Sequence, residues 1–436
     1  NRVTKSKLPS LTNILETLES CSKAEIEECV GNLLDQMSPQ QRWAFLKIGT
    51  GGLRVGMSAR SVKGVLAAFG KVDLDEIEEL WHAIEAPFEE LFEWLSGKAA
   101  KPDISGKLSF TSLMLAHPVD VKSLDFINPK EWYAEWKYDG IRVQLVNSEK
   151  GSAIFSRSGE NISASFPELS KETTDNSILD GELVVMRGKE IGSFNDLQKR
   201  LNKRKPTKKD IENYPAIVIV YDLLSFREES FRKKTLSERR SVLESLFKKG
   251  KTSCKLILSP TIPFKDSEEL QRIVEDLRKN RENQFEGLMI KKKGSEYVAG
   301  RPKGEWFKWK KEPHLVDAVL MYAQRGHGKR SSFYSDYTFG LWEENDLLPI
   351  GKAYFGFTDA ELGLLDKWVR NNTVDRFGPV RGVKPGLVIE IAFDSIHLSK
   401  RHKSGVALRF PRVHRIRWDK TAKEADTMAT LKGLLA

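Results

Sequence analysis

The octapeptide Glu135-Trp136-Lys137-Tyr138-Asp139-Gly140-Ile141-Arg142 joins a short alternating run to a glycine turn, with a lysine at the junction. Side chains alternate along a strand, so Glu135 and Lys137 share one face while Ala134 and Trp136 take the other. Gly140 permits a tight turn, and Arg142 then returns toward the same pocket. A solvated Lys and Asp at an ordinary hairpin would give the same letters, so the segment needs its context.

That context lies downstream in a fixed order. Arg157 sits in Ser156-Arg157-Ser158-Gly159-Glu160, a polar turn after an apolar run. Glu182 follows Asp180-Gly181 and enters the run Leu183-Val184. Tyr221 and Asp222 close Ile217-Val218-Ile219-Val220, and Glu286 opens Glu286-Gly287-Leu288-Met289-Ile290-Lys291. Lys308 and Lys310 alternate with aromatics in Trp306-Phe307-Lys308-Trp309-Lys310. Singly, each has a bland reading: a strand-end carboxylate, a core aromatic, a strand with one wet face. Six such elements in sequence are harder to assign to chance.

Outward from this core, the texture of the chain changes twice. Residues 1–111 read as helical, with apolar spacing at Leu11, Ile14, Leu15 and Leu18 and again at Ile26, Val30, Leu33 and Leu34. Ser38-Pro39 looks like a cap followed by proline at the first helical position. Residues 112–312 alternate short β-rich runs with helical patterns such as Leu236–Phe247 and Ser267–Leu277, which predicts an α/β domain. Residues 313–436 carry about five strands, one helical insert at Ala360–Val369 and a terminal amphipathic helix at Ala422–Leu435. That content suits a small oligonucleotide-binding (OB) barrel.

Composition bounds the function. The chain has 436 residues, enough for two or three domains, and 40% hydrophobic and 30% charged residues, the balance of a globular protein. No apolar run reaches the roughly 18 residues of a membrane span, and no leader is evident. Three cysteines, Cys21, Cys29 and Cys254, form neither a CxxC pair nor a zinc pattern, which fits a reducing cytoplasm, bacterial or archaeal-like, or the nucleoid. A net charge of +10 favours a polyanionic partner. The chain opens at Asn1 without Met, which fits a truncation.

In this order the segments resemble motifs I, Ia, III, IIIa, IV and V of the covalent nucleotidyltransferases, the superfamily of DNA ligases and RNA capping enzymes. Arg409-Phe410-Pro411-Arg412 with Arg415-Ile416-Arg417-Trp418-Asp419-Lys420 resembles motif VI of ATP-dependent DNA ligases. The likeness spans about residues 112–425. Phe45-Leu46-Lys47-Ile48 with Gly51–Ser58 is similar to the end of the helical DNA-binding domain of these ligases, although this front has only about half that domain's usual length.

The resemblance implies a three-domain enzyme: helical DNA-binding domain, adenylation domain and OB-fold barrel. Lys137 would attack ATP, AMP would pass to the 5′-phosphate of a nick in duplex DNA, and the 3′-hydroxyl would then seal the strand. A lysine attacks only when neutral, and its ordinary pKa near 10.4 must fall through burial and neighbouring cations. Lys308 and Lys310 would supply that field and stabilise the α-phosphate, and Glu182 and Glu286 would hold Mg2+. Tyr221 would stack on adenine, with Glu135 near the base edge. Arg142 and Arg157 would contact phosphate and ribose, and Arg301 is a further candidate in a loop longer than usual. Arg417 and Lys420 would orient pyrophosphate after a swing of the barrel about residues 311–314.

DNA contacts are expected from the basic run Lys199, Arg200, Lys203, Arg204, Lys205, Lys208 and Lys209 and from the loop Gln324–Arg330. No histidine has partners suited to a metal. The expected partner is nicked double-stranded DNA, with no membrane, and the expected state a monomer. An RNA ligase, a GTP-dependent capping-type enzyme, or a non-catalytic DNA-binding homologue are the alternatives.

Overall fold

The computed structural model describes residues 10–22, 24–50, 56–84, 87–104, 107–120, 124–169, 176–201, 203, 205–227, 229–250, 254–279, 284–326, 334–353, 356 and 358–435. Two compact units divide the chain, Asn1–Ser105 and Gly106–Ala436.

The first unit is helical. Its described helices are Leu11–Ser20, Ile26–Asp35, Pro39–Gly49, Ala59–Gly70, Leu74–Leu80 and Glu89–Leu95. Ser38 and Gln41 form a reciprocal capping box, with Pro39 in the first turn, as the letters predict. Ile14, Leu33 and Met37 form one small core, and Ala67, Ile77, Leu80, Leu91 and Leu95 another. Most of the glycine-containing stretch at 51–58 lies outside the described residues.

In the second unit the hairpin around Lys137 joins two sheets. Its first arm, Trp132–Tyr138, belongs to a five-stranded sheet beside Phe285–Lys292, which in turn pairs with Trp306–Lys310. Its second arm, Ile141–Ser148, belongs to another sheet, between Gly151–Ser156 and Ser177–Arg187, and the latter pairs with Ala216–Phe226. The turn at Asp139-Gly140 therefore stands where the two sheets part. A side chain on Gly140 would meet the Leu183 carbonyl at 2.4 Å, so only glycine lets the strands approach there.

The chain enters this domain along the lysine-bearing strand. His117–Pro118 runs parallel to Trp306–Lys310, Val119 N–H donates to the Lys308 carbonyl at 3.0 Å, and Leu115 N–H donates to the Gly300 carbonyl at 2.6 Å. Helix Leu236–Lys248, opened by a Thr235/Glu238 capping box, packs on Ala216–Phe226. Helix Ser267–Lys279 covers the other sheet through Leu270 and Val274 against Trp132, Ala134, Leu288 and Ile290.

The barrel region is OB-like. Its long strand His314–Arg325 pairs with Tyr334–Glu343, Val380–Val383 and Val388–Phe393, and the last of these pairs with Arg412–Arg417. It has more strands than the five expected, because Thr373–Phe377 and Arg412–Arg417 are short and charged and carry little apolar signal. Helix Asp359–Asn372 is the expected insert. The expected terminal helix is broken instead: a single turn at Ala422–Glu424 precedes Met428–Lys432, because Thr427 caps a new start. No described helix is long and apolar enough to cross a membrane.

Candidate active site

Strand register brings the sequence candidates together. Gly287 pairs with Lys137 on one side and Lys310 on the other, and Met289 likewise stands between Glu135 and Lys308. Two rows thus cross the sheet, one ending in Lys137 and Lys310, the next in Glu135 and Lys308. A register shift between Phe285 and Gly287 turns Glu286 out of the ladder and toward the first row. Lys137 Nζ donates to Glu286 Oε2 at 2.5 Å, and Lys310 Nζ lies 3.3 Å from the same oxygen. Burial opposes ionisation of Glu286, but Lys137 and Lys310 outweigh it and hold its carboxyl down to about 2.

Glu182 faces the same pocket from the other sheet, paired in register with Arg142. It has no ion pair within 4 Å among the described residues. Burial pushes its carboxyl up to about 8, against the pull of Lys137 and Arg142 and with repulsion from Glu286 and Asp180. Burial also lowers the Lys308 ammonium below its ordinary value, assisted by the positive charges of Arg301, Lys310, Lys137 and Arg157. Arg157 and Arg301 are themselves exposed. The pocket thus gathers six cations around Glu182 and Glu286.

Two candidates are more tightly tied than the sequence suggests. Arg142, expected to reach phosphate and ribose, grips Asp180 through Nε (3.1 Å) and Nη2 (2.7 Å), while Nη1 donates to the Met114 carbonyl at 2.7 Å. Glu135, expected at the base edge, is buried, with Arg240 Nη1 at 3.2 Å on one oxygen and Lys291 Nζ at 2.7 Å on the other. Lys291 was missed in the sequence. Its ammonium stands 4.2 Å from the Tyr221 ring centre and 4.8 Å from that of Trp306, an arrangement set by the alternation Met289, Lys291 along one face.

Beneath Tyr221, its neighbour Asp222 takes Arg239 at 2.7 and 2.9 Å, both side chains fully buried. Arg239→Ala would strand this carboxylate away from water and should cost about 3–5 kcal/mol of stability, read from urea unfolding. A loss below 1 kcal/mol, roughly that of an exposed pair, would mean that the pair contributes little.

The barrel contributes residues that the sequence did not single out for this face. Arg409 Nη1 bonds Asp139 Oδ2 at 2.5 Å, and Arg412 Nη1 bonds Asp394 at 2.8 Å. Lys310 Nζ lies 3.6 Å from Asp394. These residues line a cleft of about 630 Å³ that opens between the α/β domain and the barrel, beside Glu286. Arg417 and Lys420 are not in it. Both sit on Asp317 within the barrel, at 2.8 and 2.6 Å. In the basic run, Arg200 is buried on Glu168 and so is a packing residue; Lys203 pairs with Asp210. Arg204 and residues 327–330 lie outside the described residues.

Comparison with known proteins bears on this geometry. A family model for the ATP dependent DNA ligase domain matches residues 113–310, and one for the ATP dependent DNA ligase C terminal region matches 330–420. A probable DNA ligase of Koribacter versatilis is 34% identical over 417 residues, covering 90% of this chain and 71% of that protein. The chain belongs to the ATP-dependent DNA ligase family. DNA ligase 1 of Korarchaeum cryptofilum is 28% identical over 426 residues, 94% of this chain and 75% of that one. A solved structure named Pmar-Lig_Pre has the same fold, with a TM-score of 0.64 at 16% identity over 95% of this chain and 87% of that one. Membership in this ATP-dependent ligase family sets aside the RNA ligase and capping-type alternatives.

Proposed function

We propose that this ligase seals nicks in duplex DNA with Lys137 as the nucleophile that carries AMP. The observation that carries the reading is the convergence of Lys137 and Lys310 on Glu286, with Lys308 and Glu182 facing the same space. Lys137 Nζ, once its proton has passed to solvent, attacks the α-phosphorus of ATP; the P–O bond from the α-phosphorus to the bridging oxygen breaks, and pyrophosphate leaves. Lys308 and Lys310 stabilise charge on the α-phosphate oxygens. The 5′-phosphate of the nick then displaces lysine from AMP, and the 3′-hydroxyl displaces AMP from DNA.

The remaining roles follow the pocket. Tyr221 stacks on adenine, and Glu135, fixed by Arg240 and Lys291, lies by the base. Arg142, held by Asp180, shapes the wall, and the exposed Arg157 and Arg301 reach ribose and phosphate. Arg417 and Lys420 orient pyrophosphate once the barrel has turned. Two carboxylates beside a phosphate site are the donor set that Mg2+ takes, and the proton that burial keeps on Glu182 is one a dication displaces. Glu182 and Glu286 would hold this ion, which supplies charge neutralisation at the phosphates. The helical unit grips DNA, the adenylation domain runs to 312 and the barrel follows. The working form is a monomer, since one chain supplies every group named, and its compartment is the cytoplasm.

Protein incubated with α-labelled ATP should become labelled, GTP should not substitute, and a nicked duplex should be sealed with ATP and not with NAD. A chain that labels but never seals would end the nick-sealing reading.

Glu182 gives a pH test. Its carboxyl titrates near 8 in the folded protein and near 4.5 when unfolded. Its contribution is fully present below the lower value and is lost as pH rises through the higher one. In EDTA, the melting temperature of Glu182→Gln relative to wild type should therefore climb between about pH 5 and pH 8. A flat difference would mean that the carboxyl ionises normally.

A further inference from the structure

Asp317 occupies an unusual position on the long barrel strand. It is 6% exposed, and its Oδ2 alone receives both Arg417 Nη1 at 2.8 Å and Lys420 Nζ at 2.6 Å. Its Oδ1 is buried with no partner. Its backbone joins the same region, since its N–H donates to Asp426 Oδ2 at 2.8 Å and its carbonyl accepts from Asp426 N–H at 2.9 Å. A buried carboxylate that spends one oxygen on two cations and leaves the other idle is costly unless the pairing itself is useful.

The pairing fixes geometry. Two cationic nitrogens on one oxygen can be no farther apart than two hydrogen bonds laid end to end, which is the scale of neighbouring phosphate groups. Free Arg and Lys side chains each carry about 2 kcal/mol of rotamer entropy, so holding them beforehand removes that cost from the binding step. Arg417 is clamped further by Asp419, with Nη2 to Oδ2 at 2.7 Å, and lies 3.7 Å from Glu390, whereas no other ion pair holds Lys420 among the described residues.

We propose that Asp317 is a positioning residue for lysine adenylation, holding Arg417 and Lys420 as one preassembled pyrophosphate clamp. The inference rests on the reading that these two cations meet pyrophosphate. Asp317 touches neither nucleotide nor DNA and acts only through them. Its influence is therefore confined to the step that uses pyrophosphate, forward or reverse.

The test compares wild type, Asp317→Ala, Asp317→Asn and Arg417→Ala in three assays of the full chain. These are labelling by α-labelled ATP, release of ATP from the labelled enzyme by added pyrophosphate, and sealing of a nick already carrying 5′-AMP. Asp317→Ala should slow labelling roughly 10- to 100-fold and raise the pyrophosphate needed for reversal, as loosening of a pre-set geometry does. Asp317→Asn, which keeps an oxygen, should recover part of both. Sealing of the pre-adenylated nick should stay within about twofold of wild type, since it is limited by other groups.

If Asp317→Ala loses sealing along with labelling, the residue holds the barrel together and the proposal is overturned. It is overturned equally if Arg417→Ala is impaired in labelling while both Asp317 variants label normally. If Arg417→Ala itself labels at the wild-type rate, the underlying assignment of that cation fails instead.

Discussion

Lys137→Ala forms no covalent adenylate from α-labelled ATP, a loss on the order of 10⁴-fold or greater, as expected when the attacking atom itself is removed. The amine is held by Glu286; Lys310 ends the same row from the far strand, and Lys308 stands in the next row. The same variant should still close a nick that already carries AMP, because there the 3′-hydroxyl makes the new bond. Gel assays with labelled ATP and with pre-adenylated DNA separate the two steps. Labelling of the variant at an undiminished rate would remove Lys137 from the mechanism.

Gly287→Ala should also be damaging, through the backbone. Gly287 has φ of 141°, a region that side chains avoid, and an added Cβ would lie 1.9 Å from the Trp309 carbonyl oxygen. That atom is main chain, so the Trp306–Lys310 strand must move or the register must break. Either response displaces Lys308 and Lys310 and unseats Glu286, which precedes the glycine at the bulge. Backbone strain and overpacking together should cost about 2–4 kcal/mol. Thermal melting and ATP labelling should fall together, labelling by about 100-fold, since ångström-scale misplacement is enough for that. A stable variant that labels normally would show that the bulge tolerates a side chain and that the spacing of the three lysines is not critical.

The legible parts of this molecule were those whose signal is local. Alternation around Lys137 and the Gly140 turn fixed a hairpin, the run after Asp180-Gly181 fixed the Glu182 strand, and the cap at Ser38 fixed a helix start. What stayed hidden depends on pairing across long stretches of chain. Nothing near Lys291 announces that it will neutralise Glu135, 156 residues away, and nothing near Arg409 points to Asp139, 270 residues earlier. Asp180 was in view within Asp180-Gly181-Glu182, yet its hold on Arg142 depends on the register between two strands, which no local pattern specifies. The dense basic run misled for a related reason: charge density in the sequence does not reveal that one member, Arg200, turns inward to Glu168. The barrel's short charged strands were likewise invisible to an apolar pattern, because their partners decide their conformation.

The way the chain enters the α/β domain has a mechanical corollary. The tether leaving the helical unit does not simply reach the core; Leu115 ties it to Gly300, and His117 to Val119 stitch it along the flank of the Trp306–Lys310 strand. Tension applied through that tether is delivered as shear on the edge of the strand that carries Lys308 and Lys310. Trimming the polypeptide to residue 106 would leave this seam whole, whereas trimming to residue 120 would unzip it and bare the flank to solvent.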